Sequence, residues 1–192
     1  HVPVLFALPV LLLAHGLREQ ADLVPVRGSE LRENIEAWVA DRGSVSRRYS
    51  APLSKLRRER LLRLHEEWLG RIRGLDFAKL TRDGQVDWLL FDNHLRRQIA
   101  DLGLEHARER EVLALVPWAA TVVELVEARQ AVESVDPAAA AQTLDALVAE
   151  IEASTTAMKR QKPEQSVALR AANRLGALRH ALGEWFRFRN GY

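Results

Sequence analysis

The 192-residue sequence contains no cysteine. Disulfides, thiol nucleophiles and cysteine-based zinc sites are therefore excluded within it. No Gly-x-Ser-x-Gly elbow and no glycine-rich phosphate loop occurs. Charge of one sign is also lacking. Twenty-eight basic residues stand against 26 acidic ones, leaving a formal charge of only +2 despite a pI near 9.3. The charges are interspersed, so the sequence carries no nucleic-acid footprint. Lys55, Arg57, Arg58, Arg60 and Arg63 form a basic run, but Glu59, Glu66 and Glu67 compensate it and no aromatic interleaves. A solvated face is expected there. Histidine pairs are absent too. His1, His15, His65, His94, His106 and His180 include no two that are three or four apart. A zinc-peptidase helix needs such a pair so that both imidazoles reach one metal. His65-Glu66-Glu67-Trp68-Leu69 comes near this pattern, with Leu69 where the second histidine belongs. The sequence predicts no metal ligands and no catalytic residue in this chain. His65 is expected to be a partly exposed helix residue.

What is present points to helices. Apolar residues make up 47% of the chain, typical of a folded domain. Alanine, leucine, arginine and glutamate dominate, and β-branched residues other than valine are scarce. Val2 to Ala14 is an almost unbroken apolar run, shorter than the ~20 residues of a membrane span. It fits the apolar core of an export signal, with Ala14-His15-Gly16 as a cleavage region. A buried helix is the competing reading, against which Pro3 and Pro9 count. Residues 1–16 are thus expected to be a signal remnant, and residues 17–28 a polar linker containing Pro25 and Gly28.

From residue 29 onward, 3.6-residue stripes predict an all-α fold, an antiparallel array of about six helices without a β-sheet. Leu31, Ile35, Trp38 and Val39 mark a helix over 30–41, ended by Gly43 before a loop to Ser50. Leu61, Leu64, Trp68 and Ile72 mark the next, over 53–73. Leu75, Phe77 and Leu80 are expected to anchor a connector against the core. Trp88, Phe91, Leu95, Ile99 and Leu102 mark a helix over 82–110. Val86, Leu89 and Leu90 widen its stripe, which predicts contact on two sides. Asp87 or Asn93 is expected to make a buried polar contact. A helix over 118–133 follows, carrying Val122, Val123, Leu125 and Val126. Asp136-Pro137 is a strong start signal for a helix to Lys159, with Leu144, Leu147, Val148 and Ile151 inward. The last helix, over 164–188, carries Leu169, Leu175, Leu178, Leu182, Trp185 and Phe186. Its aromatic end breaks at Asn190-Gly191. Trp185, Phe186, Phe188, Asn190, Gly191 and Tyr192 are expected to form a cleft or interface surface, because the sequence supplies no later partner. The chain is read as part of a longer protein.

Two segments resemble a known family. Leu80-Thr81-Arg82-Asp83-Gly84-Gln85-Val86-Asp87-Trp88-Leu89-Leu90 is similar to the Leu-Ser-x-x-Gly-x-Ile-Asp-x-x-Leu-Leu pattern of the bacterial "domain of unknown function 885" proteins, and Asn93-His94-Leu95 continues it. Trp185-Phe186-x-Phe188-x-Asn190-Gly191-Tyr192 is similar to a second segment, which in that family runs on into Asp-Pro-Leu-Phe. Arg189 stands where an aromatic is expected. The resemblance spans roughly residues 30–192. It implies an exported, largely helical zinc metallopeptidase of the gluzincin type, whose His-Glu-x-x-His helix lies beyond this segment. It thus implies a non-catalytic N-terminal part that helps wall a substrate cleft. The implied partners are the C-terminal catalytic part of the same polypeptide, with its zinc, and a peptide substrate. A self-standing helical interaction or scaffold module is the alternative.

Overall fold

The computed structural model describes the backbone of residues 28–190 and side chains as far as Arg187. The expected signal remnant and nearly all of the linker lie outside the described residues. Six α-helices follow in order: α1 (Arg32–Arg48), α2 (Lys55–Arg73), α3 (Arg82–Leu115), α4 (Ala119–Gln130), α5 (Pro137–Gln161) and α6 (Gln165–Asn190). A single 3-10 turn, Phe77–Lys79, joins α2 to α3, and no strand occurs among the described residues.

Short polar side chains cap the starts of α2, α3 and α5. Ser54 caps α2 by accepting from the Arg57 amide at 2.8 Å. Thr81 caps α3 by accepting from the Gly84 amide at 3.2 Å. Asp136 caps α5 through the Ala138 amide at 2.9 Å, with Pro137 in the first turn, as the sequence predicts. These side chains satisfy amides that have no intrahelical partner.

α1 departs from expectation. It runs through Gly43 to Arg48. Val45 packs against the core and Ser44 Oγ donates back to Ala40 O at 3.0 Å. Tertiary packing offsets the low helix propensity of one glycine, about 1 kcal/mol.

The core has two parts, both touching α3. One contains Leu31, Trp38, Leu64, Trp68, Ile72, Phe91 and Leu95, from α1, α2 and the first half of α3. The other gathers Val112 and Val116 with Val122, Val123 and Val126 of α4, Leu147 of α5, and Ala171 and Leu178 of α6. The 34 residues of α3 span about 51 Å at 1.5 Å per residue, long enough to serve both. Ser54 Oγ donates to Glu127, and Arg48 donates to Gln130 O, so the α1–α2 turn is also tied to α4.

Several apolar residues expected to be inward are not. Val86, Leu89 and Leu90 are exposed, so the first half of α3 is contacted on one side rather than two. Val39, Val148, Ile151 and Leu169 are exposed as well. Leu75 and Phe77 lie at the surface, although Phe77 meets Trp88 edge-on at 5.3 Å, and only Leu80 packs on the core. No helix among the described residues is long and apolar enough to cross a membrane.

Candidate functional site

Three places combine chemistry with geometry. The first is an aromatic and histidine cluster inside the α1–α2–α3 core. His65 follows Leu61 by four residues and precedes Trp68 and Ile72 by three and seven, so helical spacing places it on the buried stripe of α2. It is 2% exposed, which corrects the expectation of a partly exposed residue. Trp38 Nε1 donates to His65 Nδ1 at 3.3 Å, and Trp38 meets the His94 ring edge-on at 4.9 Å. Burial, followed by the charges of Arg42 and His94, lowers the His65 pKa to about 4. At neutral pH the imidazole is uncharged and accepts a hydrogen bond. Nearby, Asp92 is the buried acid in the first half of α3, in place of the expected Asp87 or Asn93. It accepts from Arg73 Nε at 2.9 Å and pairs with Arg96 at 2.6 Å, which fixes α2 to α3. Asp87 is half-buried and Asn93 exposed, because the inward position of this polar run falls to Asp92.

The second is a charged cleft where the start of α2, the second half of α3 and the middle of α6 meet. It has two lobes, of about 480 and 180 Å³, that share Glu105, Glu109, Arg174 and Ala177. Glu105 and Glu109 lie one turn apart on α3, so both face the cleft. Arg58 approaches Glu109 at 3.6 Å and Arg174 reaches Glu105 at 2.7 Å. Burial and then the Glu105 charge push the Glu109 carboxyl above the usual range, against the pull of Arg174, Arg58 and Arg57. Arg57 and Arg58, expected on a solvated face, are instead half-buried and line this cleft.

The third is an apolar groove of about 430 Å³ between α4, α5 and α6, lined by Trp118, Leu144, Ile151, Met158, Leu175 and Leu182 among others.

The surface expected at the chain end divides. Trp185 is 6% exposed and, with Phe186, borders a cavity of about 310 Å³ facing Pro137, Ala140 and Leu144. Its expected exposure is therefore corrected: α5 covers it. Phe186 is 57% exposed, as expected. Phe188 and Asn190 belong to the α6 helix, but their side chains, with Gly191 and Tyr192, lie outside the described residues.

No group of three histidine or acidic side chains able to hold a metal occurs among the described residues. The donors present do not fit a zinc site. Comparison with protein families, with curated proteins and with solved structures gives no match.

Proposed function

We propose that this chain is the non-catalytic N-terminal helical part of an exported zinc-dependent peptidase, where it helps wall the substrate cleft. The observation that carries the reading lies in the segment that resembles the family. Some of its residues hold this fold together. Thr81 caps α3 and binds Glu30 through its amide at 3.1 Å and its hydroxyl at 2.8 Å. Gly84 is buried, and a Cβ there would overlap the Glu30 carboxylate. Trp88 Nε1 donates to Ile72 O at 2.7 Å. Val86, Leu89 and Leu90 hold nothing together within the described residues and form one outward apolar face. Such a face at a family-like motif suits burial by more of the same polypeptide. The occupant is the C-terminal catalytic part, which brings the zinc and the peptide substrate.

A second reading, a self-standing helical interaction module, draws on Trp185, which finds its cover within the chain. The reading frame separates the two. Continuation past Tyr192 into Asp-Pro-Leu-Phe and a later His-Glu-x-x-His is expected. A stop codon after Tyr192 would favour the module.

A further inference from the structure

We propose that the cleft between α2, α3 and α6 binds a small organic anion carrying two acidic groups, carboxylate or phosphate, independently of the peptidase reading. Its two lobes are lined by five arginines and three carboxylates, an excess of two positive charges. The whole chain has a formal charge of only +2, so the surplus is concentrated here.

The pairing inside the cleft is incomplete. Arg58 and Arg174 are matched by Glu109 and Glu105. Arg170 reaches Glu111, yet its Nε is buried without an acceptor. Arg108 and Arg57 make no side-chain hydrogen bond or ion pair among the described residues, and Arg57 acts on Glu109 only through its charge, at longer range. Arg57 lines the smaller lobe and Arg108 the larger, and the two lobes share Glu105, Glu109 and Arg174. A guanidinium presents a planar fork that matches carboxylate or phosphate oxygens. One guanidinium fork without a hydrogen-bonded acceptor in each lobe therefore suits a ligand with an acidic group at each end. The larger lobe alone falls in the volume range of small-molecule sites, roughly 300–1,000 Å³. The Glu109 carboxylate on the shared wall opposes such a ligand. It moderates affinity and sets a test that a generic basic surface would not meet.

Isothermal titration of the whole chain at pH 7.5 and low ionic strength, with inorganic pyrophosphate and with succinate as probes, reads the proposal. Saturable binding of at least one probe, at one per chain, is expected. Saturation by pyrophosphate alone assigns the phosphate class, by succinate alone the carboxylate class, and by both their shared anionic chemistry. Arg57→Ala and Arg108→Ala should each weaken binding about tenfold, the scale of one lost charge-assisted hydrogen bond. Glu109→Gln should tighten it. Arg110→Ala, an equal charge loss on α3 outside the cleft lining, should leave it unchanged, and circular dichroism of each variant verifies the helical fold. No saturable binding of either probe overturns the proposal. So does an Arg110→Ala loss equal to that of the cleft variants, or a failure of Glu109→Gln to tighten binding.

Discussion

His65 shows how one side chain links packing to pH. Its pKa falls from the ordinary 6.5 to about 4 in the folded chain, chiefly through burial. Between those values the unfolded state binds more protons than the folded one. The stabilisation is therefore complete above pH 6.5 and is lost as pH falls toward 4. The shift corresponds to on the order of 3 kcal/mol. Urea unfolding is expected to give a lower midpoint at pH 4.5 than at pH 7.5, and His65→Gln should remove much of that difference. An unchanged pH dependence in the variant would place the effect elsewhere. Val132 offers a second test at this scale. The α4 end forms two bonds, Val132 amide to Arg129 O at 2.9 Å and Glu133 amide to Ala128 O at 2.9 Å. This is the pattern that favours glycine in the left-handed conformation. Valine occupies that position with φ 61° and is 86% exposed. Val132→Gly removes strain without removing a buried contact. It is expected to stabilise by about 1 kcal/mol. A lower melting temperature would contradict this.

Helix starts were legible in the sequence because they depend on a few neighbouring residues. Asp136-Pro137 acts through a bond to the amide two residues ahead, and Ser54, not among the expected caps, carries the same local signal through the amide three ahead. The end of α1 was not legible. Gly43 reads locally as a stop, whereas Val45 gains cover from α2 and α3, which no local pattern reports. Gly43→Ala is therefore expected to stabilise by about 0.5–1 kcal/mol, since a Cβ there meets only the movable tip of Arg47 at 3.2 Å. Destabilisation in thermal melts would show that the glycine has a role outside helix propensity. Which apolar residues become buried was half legible. Leu61, Leu64, Trp68 and Ile72 follow one stripe and are all buried. Val148, Ile151 and Leu169 match their stripes equally well but stay exposed. Spacing defines a face; whether another helix covers it depends on topology. His65 could have been read from its place on the α2 stripe. The charged cleft could not, because its members come from three helices separated by up to more than a hundred residues.

At the scale of the molecule, α3 supports two packing centres and presents one uncovered apolar turn at Val86, Leu89 and Leu90. The chain lacks any metal-holding group among its described residues. Because no two of its six histidines stand three or four apart in the sequence, the purified chain is expected to bind zinc at well below one equivalent and to cleave no peptide. Stoichiometric, chelator-sensitive zinc would overturn that expectation. The central claim is that Val86, Leu89 and Leu90 are covered by further polypeptide. Hydroxyl-radical footprinting tests it most directly, by comparing this 192-residue chain with the polypeptide encoded by its uninterrupted reading frame. The account predicts strong oxidation of Leu89 and Leu90 in the shorter chain and severalfold protection in the longer one. Equal oxidation in both, or a frame that stops at Tyr192, would contradict it.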